Sequence, residues 1–173
     1  NAKIISKITK DETTSKVTLM TSTGNITNNG TISAKTSLDI QAGINVGSDD
    51  AGITNNGTIQ VTGGGMSFTV DKSLTNTGMI QAGDQITFAV GGTLTNNGKI
   101  ESTSSNVQAH IGRNFKNIPV PASANSSTLT GGIIEAGGNV QIDYNLDNEG
   151  IGVASSEEAI DGIYNSGLIW AKG

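Results

Sequence analysis

The feature that most constrains the fold of this chain is a seven-residue motif that recurs about every 20 residues. It reads aliphatic, spacer, Asn, spacer, Gly, spacer, Ile. Four clean copies begin at Ile26, Ile53, Leu74 and Leu94, and three degraded copies begin at Leu129, Leu146 and Ile163. A unit of this length holds only two or three short strands and cannot bury its apolar side alone, so consecutive units must stack on one another.

Each copy is followed by residues that alternate between apolar and polar, as in the apolar set Ile80, Ala82, Ile86, Phe88 and Val90. A period of two indicates strands with one buried face. Hydrophobic residues make up 34% of the 173 residues and aromatic residues only 3%, which suits a narrow core better than a wide one. The pattern therefore predicts an all-β fold, a right-handed parallel β-helix with coils of about 20 residues.

The Asn and Gly positions of the motif are predicted to form turns, because both residue types tolerate a left-handed backbone. Coiling would also align equivalent positions in columns. A buried, hydrogen-bonded ladder of side-chain amides is expected from Asn28, Asn55, Asn76, Asn96, Asn148 and Asn165. A second column, expected to face outward, consists of Thr27, Thr54, Thr75, Thr95 and Thr130.

The repeat divides the chain into two parts. Residues 1–16 do not match the motif and are predicted to form an atypical first coil or a flank, whereas residues 17–173 form the repeat segment. The longest unit contains a predicted loop insertion at about residues 113–128, which holds both prolines. Insertions in solenoids fall on surface loops and often bind partners. Possible partner contacts there are Arg113, Phe115, Lys116, Ile118 and Val120, although such a loop can also simply cover the flank of the rod.

Composition argues against several function classes. The net charge of -5 disfavours nucleic acid and anionic membranes as partners, and no apolar run reaches the length of a membrane span. His110 is the single histidine and cysteine is absent, so neither a His-based metal cluster nor a catalytic triad is available. We therefore expect no metal, no cofactor and no catalytic residues, and the chain is predicted not to be an enzyme.

An enzymatic alternative follows from one outward column, which comprises Ser33, Gln60, Gln81, Glu101 and Glu135. On successive coils Glu101 and Glu135 would lie about 5 Å apart, near the separation of a retaining glycosidase pair. No Arg or His accompanies them in that column, so a solvated polar ladder is the simpler interpretation. Trp170 extends the same face, where it can stack on a sugar or pack against a further coil.

The motif copies, in particular residues 26–32, 53–59, 74–80 and 94–100, resemble the repeats of filamentous haemagglutinin and the related contact-dependent growth inhibition exoproteins. The resemblance covers roughly residues 17–171. It implies a right-handed β-helix, export to the bacterial cell surface through an outer-membrane transporter of a two-partner secretion system, and a role as a virulence-associated adhesin or as the stalk of a toxin. The expected partner is a receptor or glycan on a host or neighbouring cell. The alternative is a carbohydrate-binding or carbohydrate-cleaving β-helix of the tailspike or lyase type.

Overall fold

The computed structural model describes residues 3–5, 16–43, 52–121, 129–144 and 162–173. These residues form 21 strands and no helix, and none of them belongs to a helix long and apolar enough to cross a membrane. Nineteen of the strands lie in three parallel sheets, and each coil contributes one strand to each sheet in the same order. The fold is therefore a parallel β-helix, as the repeat predicts.

The first sheet contains β2 (Lys16–Thr21), β5 (Ser37–Ala42), β8 (Gly65–Val70), β11 (Ile86–Val90), β14 (Val107–Ile111) and β19 (Val140–Tyr144). The second sheet contains β3 (Ile26–Asn28), β6 (Ile53–Asn55), β9 (Leu74–Asn76), β12 (Leu94–Asn96), β15 (Asn114–Asn117) and β20 (Gly162–Asn165). The third sheet contains β1 (Lys3–Ile5), β4 (Thr31–Ala34), β7 (Thr58–Val61), β10 (Met79–Ala82), β13 (Lys99–Ser102), β18 (Ile133–Ala136) and β21 (Leu168–Ala171). A separate antiparallel pair joins β16 (Val120–Pro121) to β17 (Leu129–Thr130).

Six coils result. Coils 1 to 4 are β2–β4, β5–β7, β8–β10 and β11–β13; coil 5 is β14, β15 and β18; coil 6 is β19–β21. Upstream of coil 1, in the segment expected to be an atypical first coil or a flank, β1 pairs with β4 and places Ile4 beside Ile32. That short strand thus adds a further rung to the third sheet.

The core is a narrow stack of equivalent apolar side chains. Ile59, Ile80 and Ile100 pair in register on successive strands of the third sheet and are fully buried. In the first sheet, the rings of Phe68 and Phe88 stack with their centroids 4.9 Å apart and their planes 12° apart. Because each coil presents its apolar side chains to the coil above and below, small aliphatic residues suffice to exclude water, and burial of each contributes about 1.5–3 kcal/mol.

The predicted asparagine ladder runs through all six coils. Each amide Nδ2 donates to the Oδ1 of the next asparagine at 2.7–2.8 Å, in the order Asn28, Asn55, Asn76, Asn96, Asn117, Asn165. The amides of Asn55 and Asn76 also donate to main-chain carbonyls of the following coil. The rung between Asn96 and Asn165 is Asn117, which the repeat pattern missed. Asn165 joins the ladder but is exposed, contrary to the prediction of a buried amide, and the predicted member Asn148 lies outside the described residues.

The glycines of the motif serve a different purpose from the one predicted. Gly57, Gly78 and Gly98 do not have a left-handed backbone. Instead, a Cβ built on any of them would lie 2.0–2.1 Å from the carbonyl oxygen of the glycine in the preceding coil. The expectation of left-handed turns was therefore wrong at these positions: glycine is required because adjacent coils approach too closely for any side chain.

The first half of one repeat, Phe115-Lys116-Asn117, was not recognised from the sequence. Asn114–Asn117 is strand β15, in which Phe115 pairs with Leu94 and Asn117 pairs with Asn96. The predicted insertion at residues 113–128 therefore began too early, since the chain leaves the coil only after Asn117. Lys116 stands beside Thr95 in the outward column of the second sheet, and Thr130, which was predicted there, instead belongs to the antiparallel pair.

The ladder makes a direct prediction about stability. Asn55 is 0% exposed, accepts from Asn28 and donates to Asn76 and the Met79 carbonyl. Asn55→Ala leaves those buried groups unpaired, at a cost of about 3 kcal/mol in the free energy of unfolding. Urea denaturation followed by circular dichroism measures this loss.

The neighbouring variant Asn56→Ala provides the matched control. Its side chain is exposed and bonds to Asn29 and Thr77 on the surface, so we expect a change below about 0.5 kcal/mol. Equal losses for the two variants would contradict a stabilising role for the buried ladder.

Candidate functional site

The outer surface of the third sheet carries the polar column that the sequence predicts. Strand register places its members side by side in the order Ser33, Gln60, Gln81, Glu101, Glu135, Trp170. Gln60 Nε2 donates to Ser33 Oγ at 3.2 Å, and Gln81 Nε2 donates to Glu101 Oε2 at 3.1 Å. We call this surface the third-sheet face. Its chemistry changes along the rod from neutral amides to charged groups and then to an exposed aromatic ring.

The charged part of this face is an ion triad. Lys99 Nζ lies 3.0 Å from Glu101 Oε2 and 2.8 Å from Glu135 Oε2. Lys99 precedes Glu101 by two residues on β13, so both side chains project from the same side of the strand. The hydrogen bond to Glu135 raises the pKa of Lys99; partial burial opposes this effect and the bond to Glu101 reinforces it.

This geometry bears on the glycosidase alternative. Glu101 and Glu135 are neighbours on successive coils, as predicted. A glycosidase pair must flank the bond that it cleaves, yet the Lys99 ammonium contacts both carboxylates and occupies the space between them. The arrangement is therefore better explained as a surface ion-pair cluster than as an acid and a nucleophile awaiting substrate.

Trp170 lies beyond the triad and is 48% exposed. It stands beside Glu135 in the register of β18 and β21, and Lys172 Nζ lies 5.6 Å from the centroid of its ring. Leu168, two residues earlier on the same strand, is also exposed. An accessible indole next to a carboxylate and an ammonium group is able to stack on a sugar ring while the charged groups bond to its hydroxyls.

A second distinctive feature is the insertion that interrupts coil 5, residues 118–132, which we call the arm. It leaves the rod between the second and third sheets and contains the antiparallel pairs Val120 with Thr130 and Pro121 with Leu129. Ile118, Val120 and Leu129 are exposed, the last by 57%. Residues 122–128 of the arm lie outside the described part of the chain.

Two asparagine side chains, one of them the ladder residue Asn117, anchor the base of the arm. Asn97 Nδ2 donates to the Ile118 carbonyl and Asn117 Nδ2 donates to the Gly132 carbonyl, both at 2.8 Å. Gly131 and Gly132 have φ values of 74° and 61°, a left-handed backbone that glycine adopts without strain. The two ends of the arm are thus held where an ordinary two-residue corner would connect the sheets.

The predicted partner contacts have different locations. Ile118 and Val120 lie exposed in the arm, whereas Phe115 is 1% exposed in the core, so its assignment as a surface contact was wrong. The error arose because Phe replaces the usual Leu and the Gly-x-Ile that normally follows is absent. Lys116 faces outward from β15, and Arg113 is half-buried immediately before that strand.

The first sheet has a shallow outer groove that the sequence analysis did not identify. Its lining includes Gly65, which has no side chain, and the polar residues Lys16, Asp39, Ser67 and Gln85. Asp39 accepts hydrogen bonds from Ser67 Oγ at 2.9 Å and from Gln41 Nε2 at 2.7 Å. The signal that could have located it was Gly65, which stands in strand register beside Ser37.

Among the described residues, the remaining ionisable groups do not form a metal centre. His110 Nδ1 lies 3.4 Å from Asp143 Oδ2 on the neighbouring strand, and both side chains are exposed. Across the ranges that the structure describes, no group of three or more His, Cys, Asp or Glu residues is placed to hold a metal ion.

Comparisons with known proteins add no assignment. No protein-family model matches the chain, no curated protein matches it, and no solved structure matches it. Function must therefore be argued from the geometry of the rod, the third-sheet face and the arm.

The ion triad makes a prediction about charge balance. Met79 occupies the position of Lys99 in the preceding coil, so Lys99→Met is sterically acceptable but leaves Glu101 and Glu135 adjacent and uncompensated. We expect a loss of about 1 kcal/mol in the free energy of unfolding, because exposed ion pairs contribute 0.2–1 kcal/mol each. Adding Glu135→Gln to Lys99→Met should restore most of the lost free energy of unfolding. A double-mutant cycle of these two substitutions, measured by urea denaturation, tests this expectation. If their effects on the free energy of unfolding simply add, the triad does not contribute to stability.

The same triad predicts a dependence on pH. The pKa of Lys99 is raised above its unfolded value of 10.5, so its contribution to stability is complete below that pH and is lost as the pH rises through the folded pKa. Urea midpoints measured from pH 9 to about pH 12 should fall more steeply for the wild type than for Lys99→Met, which lacks the titrating group. Parallel curves for the two proteins would refute the linkage.

Proposed function

We propose that this chain is a rigid β-helical stalk segment of a large exported bacterial surface exoprotein, and that it contacts a receptor or glycan on another cell through features added to the rod. The observation that carries the proposal is the unbroken asparagine ladder across six coils. With strands about 4.8 Å apart, those coils span roughly 25 Å between the first and last strands of a sheet. In such a rod each coil contacts only its neighbours, so length can increase without a larger core.

Rigidity follows from how the interior is occupied. The inward positions are filled by aliphatic and aromatic side chains, by ladder amides and by Ser102, and each glycine corner is closed by direct contact between backbones. Bending the rod would separate coils on one side, breaking ladder hydrogen bonds and exposing the core there. A spacer that presents a distant domain requires this resistance to bending.

The arm is the feature of the rod that best suits contact with a receptor. A regular corner uses two residues, as Asn97 and Gly98 do between β12 and β13, whereas coil 5 uses residues 118–132. Three apolar side chains of the arm are exposed although the core nearby is complete. Exposed apolar groups on a firmly anchored loop are typical of interaction sites.

Replacing residues 118–132 with Asn-Gly tests this role without disturbing the rod. The new corner would connect Asn117 to Ile133 as Asn97 and Gly98 connect Asn96 to Lys99. We expect the variant to keep its circular dichroism spectrum and to lose at least tenfold in binding to whole cells, measured by flow cytometry with labelled protein.

Two controls make that experiment decisive. Asn56→Ala, on the surface of another corner, should leave cell binding unchanged. If the arm-replacement variant folds and binds as well as the wild type, the arm is not the contact; if neither protein binds any cell type, the adhesive part of the proposal fails and only the stalk remains.

Glycan binding by the third-sheet face is the second candidate, and it rests on the exposed indole of Trp170 beside Glu135 and Lys172. Trp170→Ala should abolish retention on immobilised polysaccharide if this face binds sugar, while the arm replacement should not. A hydrolysis assay on the retained polysaccharide, with Glu101→Gln as control, distinguishes binding from cleavage. Glycan retention unaffected by Trp170→Ala would exclude this face.

A further inference from the structure

The arm, residues 118–132, differs in chemistry from the other surfaces of the rod. Its sequence contains neither a charged nor an aromatic residue, whereas the third-sheet face combines an ion triad with an exposed indole ring. Without charges the arm cannot form ion pairs with a partner, and without aromatic rings it offers no platform for a sugar. It presents aliphatic groups instead, since Ile118, Val120 and Leu129 are exposed. This composition suits a protein partner with an apolar surface better than a glycan.

The hydrogen bonds of the antiparallel pair determine the direction in which the two prolines of the arm point. Val120 pairs with Thr130, and Pro121 pairs with Leu129. In an antiparallel ladder, successive residues direct their N–H and C=O groups alternately toward the partner strand and away from it. Because Pro121 has no N–H to donate, Val120 is the residue that exchanges hydrogen bonds with Thr130. The backbone nitrogens of Pro119 and Pro121 therefore lie on the edge of β16 that faces away from β17.

That free edge of β16 lacks hydrogen-bond donors. A further strand needs both donors and acceptors to extend a ladder, and prolines at alternate positions leave only carbonyl acceptors. In the described part of the chain, β16 pairs with β17 alone. The prolines also restrict the backbone, so less conformational freedom is lost when the neighbouring side chains bind. The arm is therefore suited to recognition through its side chains rather than through strand addition.

The side chains of the antiparallel pair point to two sides of the arm. Residues paired in register share a side, so Leu129 lies with Pro121, and Val120 lies with Thr130. Leu129 is 57% exposed and Pro121 is also exposed, whereas Val120 is 39% exposed. The side formed by Leu129 and Pro121 carries no polar side chain in the described pair, and we call it the apolar side of the arm.

The root of the arm keeps the apolar side in a fixed orientation. Ile118 N–H donates to the Asn96 carbonyl at 3.0 Å, and the Ile118 carbonyl accepts from Asn97 Nδ2 at 2.8 Å. Where the arm returns to the rod, a Cβ at Gly132 would lie 2.6 Å from the Pro119 nitrogen. The outgoing and returning chains are thus in direct backbone contact, and a root held in this way reduces the entropy that binding costs.

We infer that the arm docks through its apolar side, Leu129 and Pro121, into an apolar groove of a protein on the target cell, and that Pro119 and Pro121 prevent strand addition at the free edge of β16. The inference rests on the proposed adhesive role of the arm, and it specifies the class of partner and the mode of contact. Because burial of apolar surface drives this association, salt has little effect on it.

Two neighbouring substitutions test the docking surface. Leu129→Asp places a charge on the apolar side, whereas Thr130→Asp places the same charge on the other side. Both positions are exposed, so both variants should keep the circular dichroism spectrum of the wild type. We expect Leu129→Asp to weaken binding to whole cells by about tenfold or more, because an unpaired charge resists burial in an apolar groove. Thr130→Asp should weaken binding by less than about twofold, and equal losses for the two variants would overturn the inference.

Treatment of the cells identifies the class of partner. On the cell type that binds the most wild-type protein, digestion of surface proteins with a protease should remove binding. Periodate oxidation of surface sugars should leave binding unchanged within about twofold, as should an increase in NaCl from about 0.1 M to about 0.5 M. Loss of binding after periodate treatment would indicate a glycan and overturn the inference.

Pro119→Thr combined with Pro121→Thr tests the free edge. The double substitution restores two N–H donors and raises the strand propensity of the segment. Sedimentation equilibrium should show self-association that increases with concentration and exceeds that of the wild type and of the arm-replacement variant. At concentrations where the double variant is monomeric, its cell binding should fall, because Pro121 belongs to the apolar side. Tighter cell binding would show that the partner adds as a strand, and it would overturn the inference, as would unchanged sedimentation.

The same measurements separate failure of this inference from failure of the proposed adhesive role. If the wild type binds no cell, the adhesive role and the docking surface are both refuted, while sedimentation still decides whether the prolines close the edge. If the wild type binds cells and Leu129→Asp binds them equally well, the docking surface alone is refuted.

Discussion

The hydrogen bond between buried asparagine amides of successive coils is the interaction on which the rest of this structure depends. An amide that is shielded from water must find both a donor and an acceptor. For Asn55, Asn76, Asn96 and Asn117 the preceding coil supplies the donor and the following coil supplies the acceptor, at 2.7–2.8 Å. The bond forms only if equivalent residues lie directly above one another. A slip of one residue would turn every apolar side chain outward, so the ladder and the core impose the same register.

Close stacking at the ladder has consequences for the neighbouring corner. The backbones of successive coils approach until a Cβ would overlap a carbonyl oxygen, which leaves glycine as the residue that fits at Gly57, Gly78 and Gly98. The N–H of each of these glycines in turn donates to a main-chain carbonyl of the coil before it.

The residue type and the length of the corner can vary at positions that the ladder does not constrain. On the third-sheet face, one column changes from Gln81 to Glu101 and Glu135 and then to Trp170 without any change in backbone pairing. The arm shows how a large insertion is accommodated: Asn117 holds its return end, so the coil closes although many residues have left it. Specific recognition in a solenoid of this kind therefore belongs to outward columns and interrupted corners, while the interior maintains the rod.

The sequence by itself determined the fold class, the composition of the core and five of the six ladder positions in the described coils, because motif spacing and strand alternation follow directly from stacking. It also placed Glu101 beside Glu135, since strand register follows from the repeat. Tertiary structure alone decided that Phe115 and Asn117 complete a coil. The full motif is absent there, and the two residues belong to the coil because Phe115 fills the core position beside Leu94 and Asn117 fills the ladder position beside Asn96. It also decided that Lys99 contacts the carboxylates of both Glu101 and Glu135, and that the motif glycines are needed for lack of space rather than for a left-handed backbone. Both features depend on distances between coils, which the sequence of a single repeat does not encode.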